Sequence, residues 1–369
     1  MDPVVSSKER ILDLIRDNPF VSQQTLAERL QITRSAVASH IAQLTRDGRL
    51  LGRAYMLPGA EPILVAGGAN LDRIAKGLGL VTMETSNPVT VQESYGGVAR
   101  NVAENLARLG LPVRLMTAVG EDDTGAALIK QARDLGIDLG GTLTVTGCPT
   151  GTYTAVLQPD GEMVLAMADM AVMDRFTLAA LHERRSHWAS TRFRVLDCNL
   201  PEEVLSALME DSRRQAATLV IVAVSEPKMS RLPESLEGVS VLIINVGELA
   251  ARVGRVLRDR KAVVRACRQV QAQGATGVVV TLGAQGVLCV DGLGEPRAIP
   301  APKAEIVDVT GAGDAFSAGV VASLARYPED LFGACHLGQR LAVLTLGSRS
   351  SVVPSLTPAF LQSYETSIP

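Results

Sequence analysis

"DVTGAGDAFSAG", Asp308 to Gly319, is the stretch from which the rest of the chain can be read. Its glycines resemble a phosphate-binding loop, yet no Lys-Ser or Lys-Thr follows them, as a P-loop requires. Upstream, "AEIVDV" (Ala304 to Val309) is a strand-like run; downstream, "DAFSAGVVASLAR" has helical spacing. Small residues between the two let backbone N–H groups converge at a helix N-terminus, where the dipole favours anions. Gly311, Ala312 and Gly313 can therefore form an anion hole for a phosphoryl group in transfer. Asp314, beside them, can accept a proton from an attacking hydroxyl. Phosphoryl transfer to an alcohol needs positioning, charge stabilisation and a base; it needs no P-loop lysine if helix-end amides and metal ions carry the charge. Taken alone, the stretch also fits a glycine turn followed by a helix-capping aspartate.

The sequence around this stretch, residues 61–369, has one rhythm. "ILVAGG", "VRLMTAVG", "FRVLDCN", "ATLVIVAVS", "SVLIIN" and "TGVVVTLG" are compact β-branched runs, with helical segments such as "RNVAENLARLG" and "GAALIKQARDLG" between them. Buried strands alternating with helices predict an α/β fold, a doubly wound parallel sheet with helices on both faces. Ligands of such folds bind beyond the carboxyl ends of the strands. "NPVTVQESY" and "TGTYTAVLQPDGEMVLAMAD" break the rhythm and read as extended strands with turn signals. They predict a small β lid, with strands at about 80–96 and 150–170, or else extra edge strands of the main sheet.

Residues 1–60 form a different block, joined by the short linker "PGAEP" (Pro58 to Pro62). "SKERILDLIRDNP" has helical spacing, "VSQQTLAERLQ" restarts with Ser22 as an N-cap, and "RSAVASHIAQLTRDG" carries Ala36, Val37, Ile41 and Leu44 on one face. "RLLGRAYML" then reads as a hairpin or wing. Three short helices and a hairpin make a winged helix-turn-helix, similar to the small winged-helix domains of bacterial regulators. Arg34, Ser35, Ser39, His40 and Gln43 would line the outer face of the third helix, where polar side chains suit DNA base edges and phosphates. Ser7 to Pro58 holds eight basic and five acidic residues. The block could instead serve only to pack or to dimerise.

Bulk properties set the limits. The chain has 369 residues, 47% of them hydrophobic, which is ample for more than one domain. A net charge of −3 gives no overall basic field, so any DNA contact has to be local. Five dispersed cysteines without a C-x-x-C pair argue against a local metal knuckle and fit a reducing cytoplasm. The N-terminus has no signal-peptide core and no apolar run suits a bilayer, so a cytoplasmic protein without membrane contact is expected.

A second motif shifts the balance between the two uses of Asp314. "GGVARNVAENLARLG" (Gly96 to Gly110) has a glycine pair, then Asn101, then a helix. Together with "DVTGAGD", in that order and far apart, it resembles the two signature regions of the ribokinase-like (PfkB-type) kinases, over roughly Ile63 to Leu356. The resemblance implies a sugar or nucleoside kinase using ATP and magnesium, with Asp314 as base and Gly311, Ala312 and Gly313 as the anion hole. It assigns Asp72, with Asn70 as helper, and Asn101 to the substrate hydroxyls, and Gly96 and Gly97 to close backbone approach. Asn245 and Glu248 in "INVGE" match the pattern that organises magnesium and phosphates through water. Thr281, Gly283 and Gly286 in "TLGAQG" match the loop along the ATP. Asp308 and Thr310 match positions that hold a monovalent cation, potassium in particular. Asp169 in "LAMADM" could reach the substrate from the lid rim, and Asp197 and Asn199 in "LDCNLP" follow a strand and face the site edge, where they could touch substrate or phosphate.

The chain departs from the family at Arg100, where many members have a small residue, and in "LTLGSRSSVVPSLT", which lacks the family's common ending. These features look closer to the pseudouridine-kinase branch. The implied function is transfer of phosphate to a primary hydroxyl of a ribose-containing substrate, by a homodimer with a fused DNA-binding domain. Alternatives are a kinase of a free sugar, or a transcriptional regulator using the kinase fold as a sensor.

Overall fold

Three short helices open the described residues, the second and third each begun by a hydroxyl side chain suited to that place. α1 is Ser7–Asp17. α2, Gln23–Leu30, starts where Ser22 Oγ accepts from Thr25 N at 3.0 Å, and α3, Arg34–Arg46, where Thr33 Oγ1 accepts from Ala36 N at 3.1 Å. Left-handed Gln31 ends α2, and Gly48, at φ 71°, follows α3. Ile11, Leu12, Ile15, Leu26, Val37, Ile41 and Leu44 close a small core; Ala36, expected on the same stripe, is half-buried. Arg49 grips the Glu9 carboxylate with two hydrogen bonds, 2.8 and 3.0 Å, and ties the exit of α3 back to α1. The structure, a computed structural model, describes residues 7–17, 21–50 and 61–365. The wing from Leu51 onward and linker residues Pro58 to Ala60 lie outside them. The chain divides into two units, Met1–Glu61 and Pro62–Pro369.

The second unit alternates strand and helix. In chain order it holds β1 (Ile63–Ala66), β2 (Asn70–Gly77), β3 (Val89–Gly96), α4 (Val98–Arg108), β4 (Val113–Met116), β5 (Ala118–Gly120), α5 (Asp123–Asp134), β6 (Leu143–Val145), β7 (Thr152–Leu157) and β8 (Met163–Asp169). Then come α6 (Leu178–Glu183), α7 (Arg185–Trp188), β9 (Phe193–Asp197), α8 (Glu202–Gln215), β10 (Thr218–Val222), β11 (Val241–Asn245), α9 (Val246–Val253) and α10 (Arg260–Ala272). β12 (Gly277–Thr281), β13 (Val287–Asp291), β14 (Arg297–Ile299), α11 (Ala312–Leu324), α12 (Leu331–Leu346) and α13 (Ala359–Glu365) complete it.

Eight strands form the main sheet in the order β14-β13-β12-β11-β10-β9-β1-β4, parallel except for the β12-β13-β14 meander at one edge. The meander, which the β-branched runs did not announce, makes the sheet mixed. The period of two sorts side chains into two cores. Val65, Val195, Val220, Ile243 and Val279 face α4, α11 and α12; Leu64, Leu196, Leu219, Leu242 and Val278 face α8, α9 and α10. Both faces are dry, which is why these strands read as unbroken apolar runs.

A four-stranded sheet, β3-β2-β7-β8, forms the lid. β2 is its unexpected member. "NLDRIAKG" mixes charges with aliphatics and carries no strand pattern, yet it pairs antiparallel with β3 and parallel with β7. The turn at Pro159-Asp160-Gly161 closes the β7-β8 hairpin, with Gly161 at φ 97°.

Two expected strands differ. "VRLMTAVG" breaks at Thr117, and its second half pairs with β6 in a separate two-stranded sheet. "AEIVDV" forms no strand: Val307 N and Asp308 N both donate to Leu346 O at the end of α12 (2.8 and 3.3 Å), and Ile306 and Val309 face solvent. Its β-branched residues have no neighbouring strand to pair with, because β14 already ends the sheet.

Candidate active site

The site is built where β1, β9 and the lid converge. β1 ends at Ala66, and Gly67-Gly68-Ala69 carries the chain directly into β2. Asp197, the last residue of neighbouring β9, holds this turn. Its carboxylate accepts from Gly68 N and from Ala99 N, both at 2.9 Å, and from Asn199 N at 2.8 Å. A Cβ on Gly67 would overlap that carboxylate, and one on Gly68 the Asn199 side chain. Asp197 is 1% exposed, and burial pushes its carboxyl up while the three amides pull it down. It caps α4 from outside and binds the β1 turn to the first turn of that helix, so its oxygens serve the scaffold.

Asp72 stands on β2, buried, accepting from Asn70 Nδ2 at 2.6 Å. Strand pairing sets it opposite Ser94 and Tyr153. The glycine pair has two separate reasons. Gly96 leaves room for the Asp72 carboxylate, which any Cβ there would overlap. Gly97, at φ 97°, precedes α4, and a Cβ there would overlap the backbone of Gly68 and Ala69. Asn101, in the first turn of α4, then donates from Nδ2 to Asp314 Oδ2 at 2.8 Å, across 213 positions of sequence.

Asp314 is the third residue of α11. Gly311 precedes the helix at φ 77° with Ser351 O packed where its Cβ would be, and Gly313 borders open space. The first amides of a helix have no intrahelical acceptor, so those of Gly313 and Asp314 point out of the helix end. Ala312 N makes a long bond to Val309 O, 3.3 Å, and is less available than the other two. The Asp314 carboxyl is raised to about 7: burial contributes most, Asp197 and Asp72 push the same way, and the Asn101 bond and Arg100 oppose them. A carboxyl poised there can hold or release a proton near neutral pH.

A second group lies further along the same sheet edge. Asn245 and Thr281 end β11 and β12 side by side in register. Asn245 and Glu248 form a reciprocal capping box on α9: Glu248 N donates to Asn245 Oδ1 and Asn245 N to Glu248 Oε2, both at 2.8 Å. Glu248 is buried, and burial raises its carboxyl, with the Glu226 carboxylate adding to the effect. Glu226 lies over the same helix end, where a Cβ on Gly247 would overlap it. Gly283 (φ 57°) and Gly286 (φ 94°) shape the loop into β13; nothing stands near Gly283, whereas Gly286 packs on Ile299 O.

Asp169 and Asp308 have local backbone partners. Asp169 lies on the lid face of Leu71 and Thr152, opposite that of Asp72 and Tyr153, and accepts from Ala171 N at 3.2 Å. Asp308 turns its carboxylate back to Thr310 N at 2.8 Å. Two side chains at the site had no assigned role in the sequence. Tyr153 shares the face of Asp72, and Arg100 is buried against Asn101.

Residues 60–358 match the pfkB family carbohydrate kinase profile. The chain belongs to that family. It is accordingly a phosphotransferase with an alcohol group as acceptor, on a ribokinase-like fold. The uncharacterized sugar kinase YeiI of Escherichia coli is 33% identical over 321 residues, covering 86% of this kinase and 87% of that protein. The pseudouridine kinase of the same organism is 30% identical over 258 residues, covering 70% and 82%. A carbohydrate kinase from Agrobacterium tumefaciens superposes with a TM-score of 0.69 at 32% identity, over 84% of this kinase and 98% of that chain. Arabidopsis thaliana ribokinase, solved with ribose and ATP, superposes at 0.70 with 20% identity over 82% and 98%, a likeness of fold.

Residues 6–50 match a winged helix-turn-helix DNA-binding profile. On α3, Arg34, Ser35, Ser39 and Gln43 are exposed and His40 is half-buried. Among the described residues no helix is long and apolar enough to cross a membrane.

Proposed function

We propose that the second unit phosphorylates a primary hydroxyl of a ribose-containing substrate, a nucleoside of the pseudouridine type, with ATP as donor. The Asn101–Asp314 hydrogen bond carries the proposal, because it joins the substrate side of the cleft to the helix end that faces the donor. Asp72 and the free valences of Asn101 hold the sugar hydroxyls. Asp314 takes the proton as the hydroxyl oxygen bonds to the terminal phosphorus of ATP; the bond from that phosphorus to the bridging oxygen breaks and ADP leaves. The amides of Gly313 and Asp314 stabilise the equatorial oxygens in transit. The lid keeps water from competing. The Tyr153 ring, beside Asp72, supplies a flat apolar face against the nucleobase.

Among the described residues no three metal-binding side chains converge. Glu248 has one oxygen left beyond its capping bond, and Glu226 lies beside it. This donor set fits a magnesium ion that keeps its waters and is held mostly by phosphate. Such an ion would neutralise charge on the phosphates. Thr281 and the Gly283–Gly286 loop border the nucleotide, and Asp308 with Thr310 would take a potassium ion.

The deciding experiment is ATP consumption across pseudouridine, uridine, cytidine, inosine, adenosine, ribose and fructose, with Asp314→Asn as control. Selective turnover of one nucleoside that disappears in the variant is the expected result. Turnover of free ribose alone would replace the substrate assignment, and activity retained in Asp314→Asn would remove the base. For the first unit, the exposed polar face of α3 supports DNA binding. Retardation of the DNA upstream of its own operon at low salt, lost in Arg34→Ala, is expected; no retardation would exclude it.

A further inference from the structure

Arg100 is an arginine almost wholly buried beside the reacting groups, 4% exposed, and both terminal nitrogens of its guanidinium are engaged by the protein. Nη1 donates to Tyr95 O and to Asn101 Oδ1, both at 2.8 Å; Nη2 donates to Gln131 Oε1 at 3.0 Å and to the Glu104 carboxylate. Glu104 is buried too and is held on its other oxygen by Arg108, whose Nη1 reaches Pro354 O at 2.8 Å. A continuous chain of charge-assisted bonds thus runs from the C-terminal segment to the side chain that touches Asp314.

The consequence lies in the Asn101 amide. An asparagine amide has one acceptor end and one donor end of nearly equal size, and its surroundings decide which way it points. Here Oδ1 faces a cation and Nδ2 faces a carboxylate. Reversed, the amide would set N–H against guanidinium and C=O against carboxylate, two repulsive contacts in place of two attractive ones. Asn101 keeps one N–H and one Oδ1 lone pair for a substrate hydroxyl. We propose that Arg100 is a positioning residue: it locks the Asn101 amide in the only orientation that can hold Asp314, and it supplies the positive charge that lets Asp72 and Asp314 be buried in one cleft.

This rests on the assignment of Asp314 as base. The charged groups facing Asp314 are Asp72 from β2, Asp197 from β9 and Arg100 from α4, so Arg100 is the one cation among them. Burial works against its charge, and Glu104, Asp72 and Asp314 sustain it.

The test is the pH profile of the full-length kinase in Arg100→Gln and Arg100→Lys. Removing the cation raises the Asp314 pKa, so the acid limb of kcat/KM in Arg100→Gln should move up by about one pH unit. Its kcat should fall about 100-fold through loss of alignment, with the KM for ATP nearly unchanged. Arg100→Lys keeps the charge but not the two-pronged grip; its limb should stay at the wild-type position while kcat falls about 10-fold. A role in packing alone would lower the amount of folded protein and leave the limb where it was. An unmoved limb in Arg100→Gln, or wild-type kcat in Arg100→Lys, would overturn the assignment; if Arg100→Gln does not fold, the lysine variant decides alone. Carbon-13 NMR titration of labelled aspartate carboxyls, with Asp314 identified by its absence in Asp314→Asn, reads the same midpoint without turnover. A midpoint that shifts in Arg100→Gln while no acceptor is phosphorylated would fault the kinase assignment and spare the lock.

Discussion

The two halves of the cleft are held by different means. Around Asp72, Asn101 and Asp314, side chains bond to one another in a buried network. Around Asn245, Glu248 and Thr281, the same residues are bound mainly to backbone, as helix caps and strand ends. The acceptor half is therefore rigid and carries three carboxylates raised by burial, a standing cost to stability. The donor half offers open space at Gly283 and Gly313 that a charged ligand would fill. A sugar hydroxyl is neutral and must be positioned by precise bonds, whereas a polyphosphate brings its own charge and metal.

The sharpest way to break this contrast is Asp314→Asn. Turnover should fall about 1,000-fold or more, as expected for a lost general base. The same variant should gain stability. The folded-state pKa, about 7, lies above the usual aspartate value of 3.8, so the unfolded chain loses its proton first and stability falls as pH rises between those values. Removing the group should restore roughly 1–3 kcal/mol at pH 8 and much less at pH 5, discounting for the solvent that reaches it. Chemical denaturation at the two pH values measures this; equal effects at both would show that Asp314 is not a strained carboxyl.

Gly96→Ala tests the rigidity of the acceptor half. The new methyl would meet the Asp72 carboxylate, which is buried and tied to Asn70 and has little room to turn away. kcat/KM for the acceptor should drop about 100-fold while ATP binding, measured by calorimetry, is unchanged. Equal losses for both ligands would mean that the two halves are coupled more tightly than their bonds suggest.

The acceptor half was legible in the sequence as residue types but not as contacts. Gly96, Gly97, Asn101 and Asp314 stand in two short motifs whose spacing announces a turn and a helix start. Nothing in that spacing says that Asn101 bonds Asp314, a contact made by sheet topology. Asp197 looked like a group facing the site edge or the substrate because it follows a strand, yet both its oxygens are bound to backbone amides, those of Gly68 and Ala99 and of Asn199 in its own segment. β2 was missed because a lid strand partly exposed on both faces can carry Asp72, Arg73 and Lys76 without an apolar run. The opposite error befell "AEIVDV", whose β-branched residues imitate a strand with no partner to pair with. Asp169 shows the limit of proximity in sequence: one place along β8 decides the face, and pairing fixes it away from Asp72.

Tyr153→Leu sharpens the contrast inside the acceptor half. If the ring lies against a nucleobase, its loss should cost about 10-fold in KM for the nucleoside, in line with the worth of one base–aromatic stack. A free sugar, with no base, should be affected far less. The ratio of nucleoside to ribose turnover measures this, and an unchanged ratio would place the nucleobase elsewhere.

The smallest effect should come from Glu248→Gln, and it separates two roles that one carboxylate performs. The amide oxygen of glutamine can still accept from Asn245 N, so the capping box survives and thermal stability should hold. What is lost is the charge that would hold magnesium through water. The magnesium concentration for half-maximal rate should rise several-fold, by about the worth of one outer-sphere contact, with kcat restored at saturation. Glu248→Ala, by contrast, removes both and should also lower stability by about 1 kcal/mol for the lost cap. If the glutamine variant loses stability while its magnesium dependence stays fixed, Glu248 serves the helix alone, and the donor half owes its metal to the phosphates.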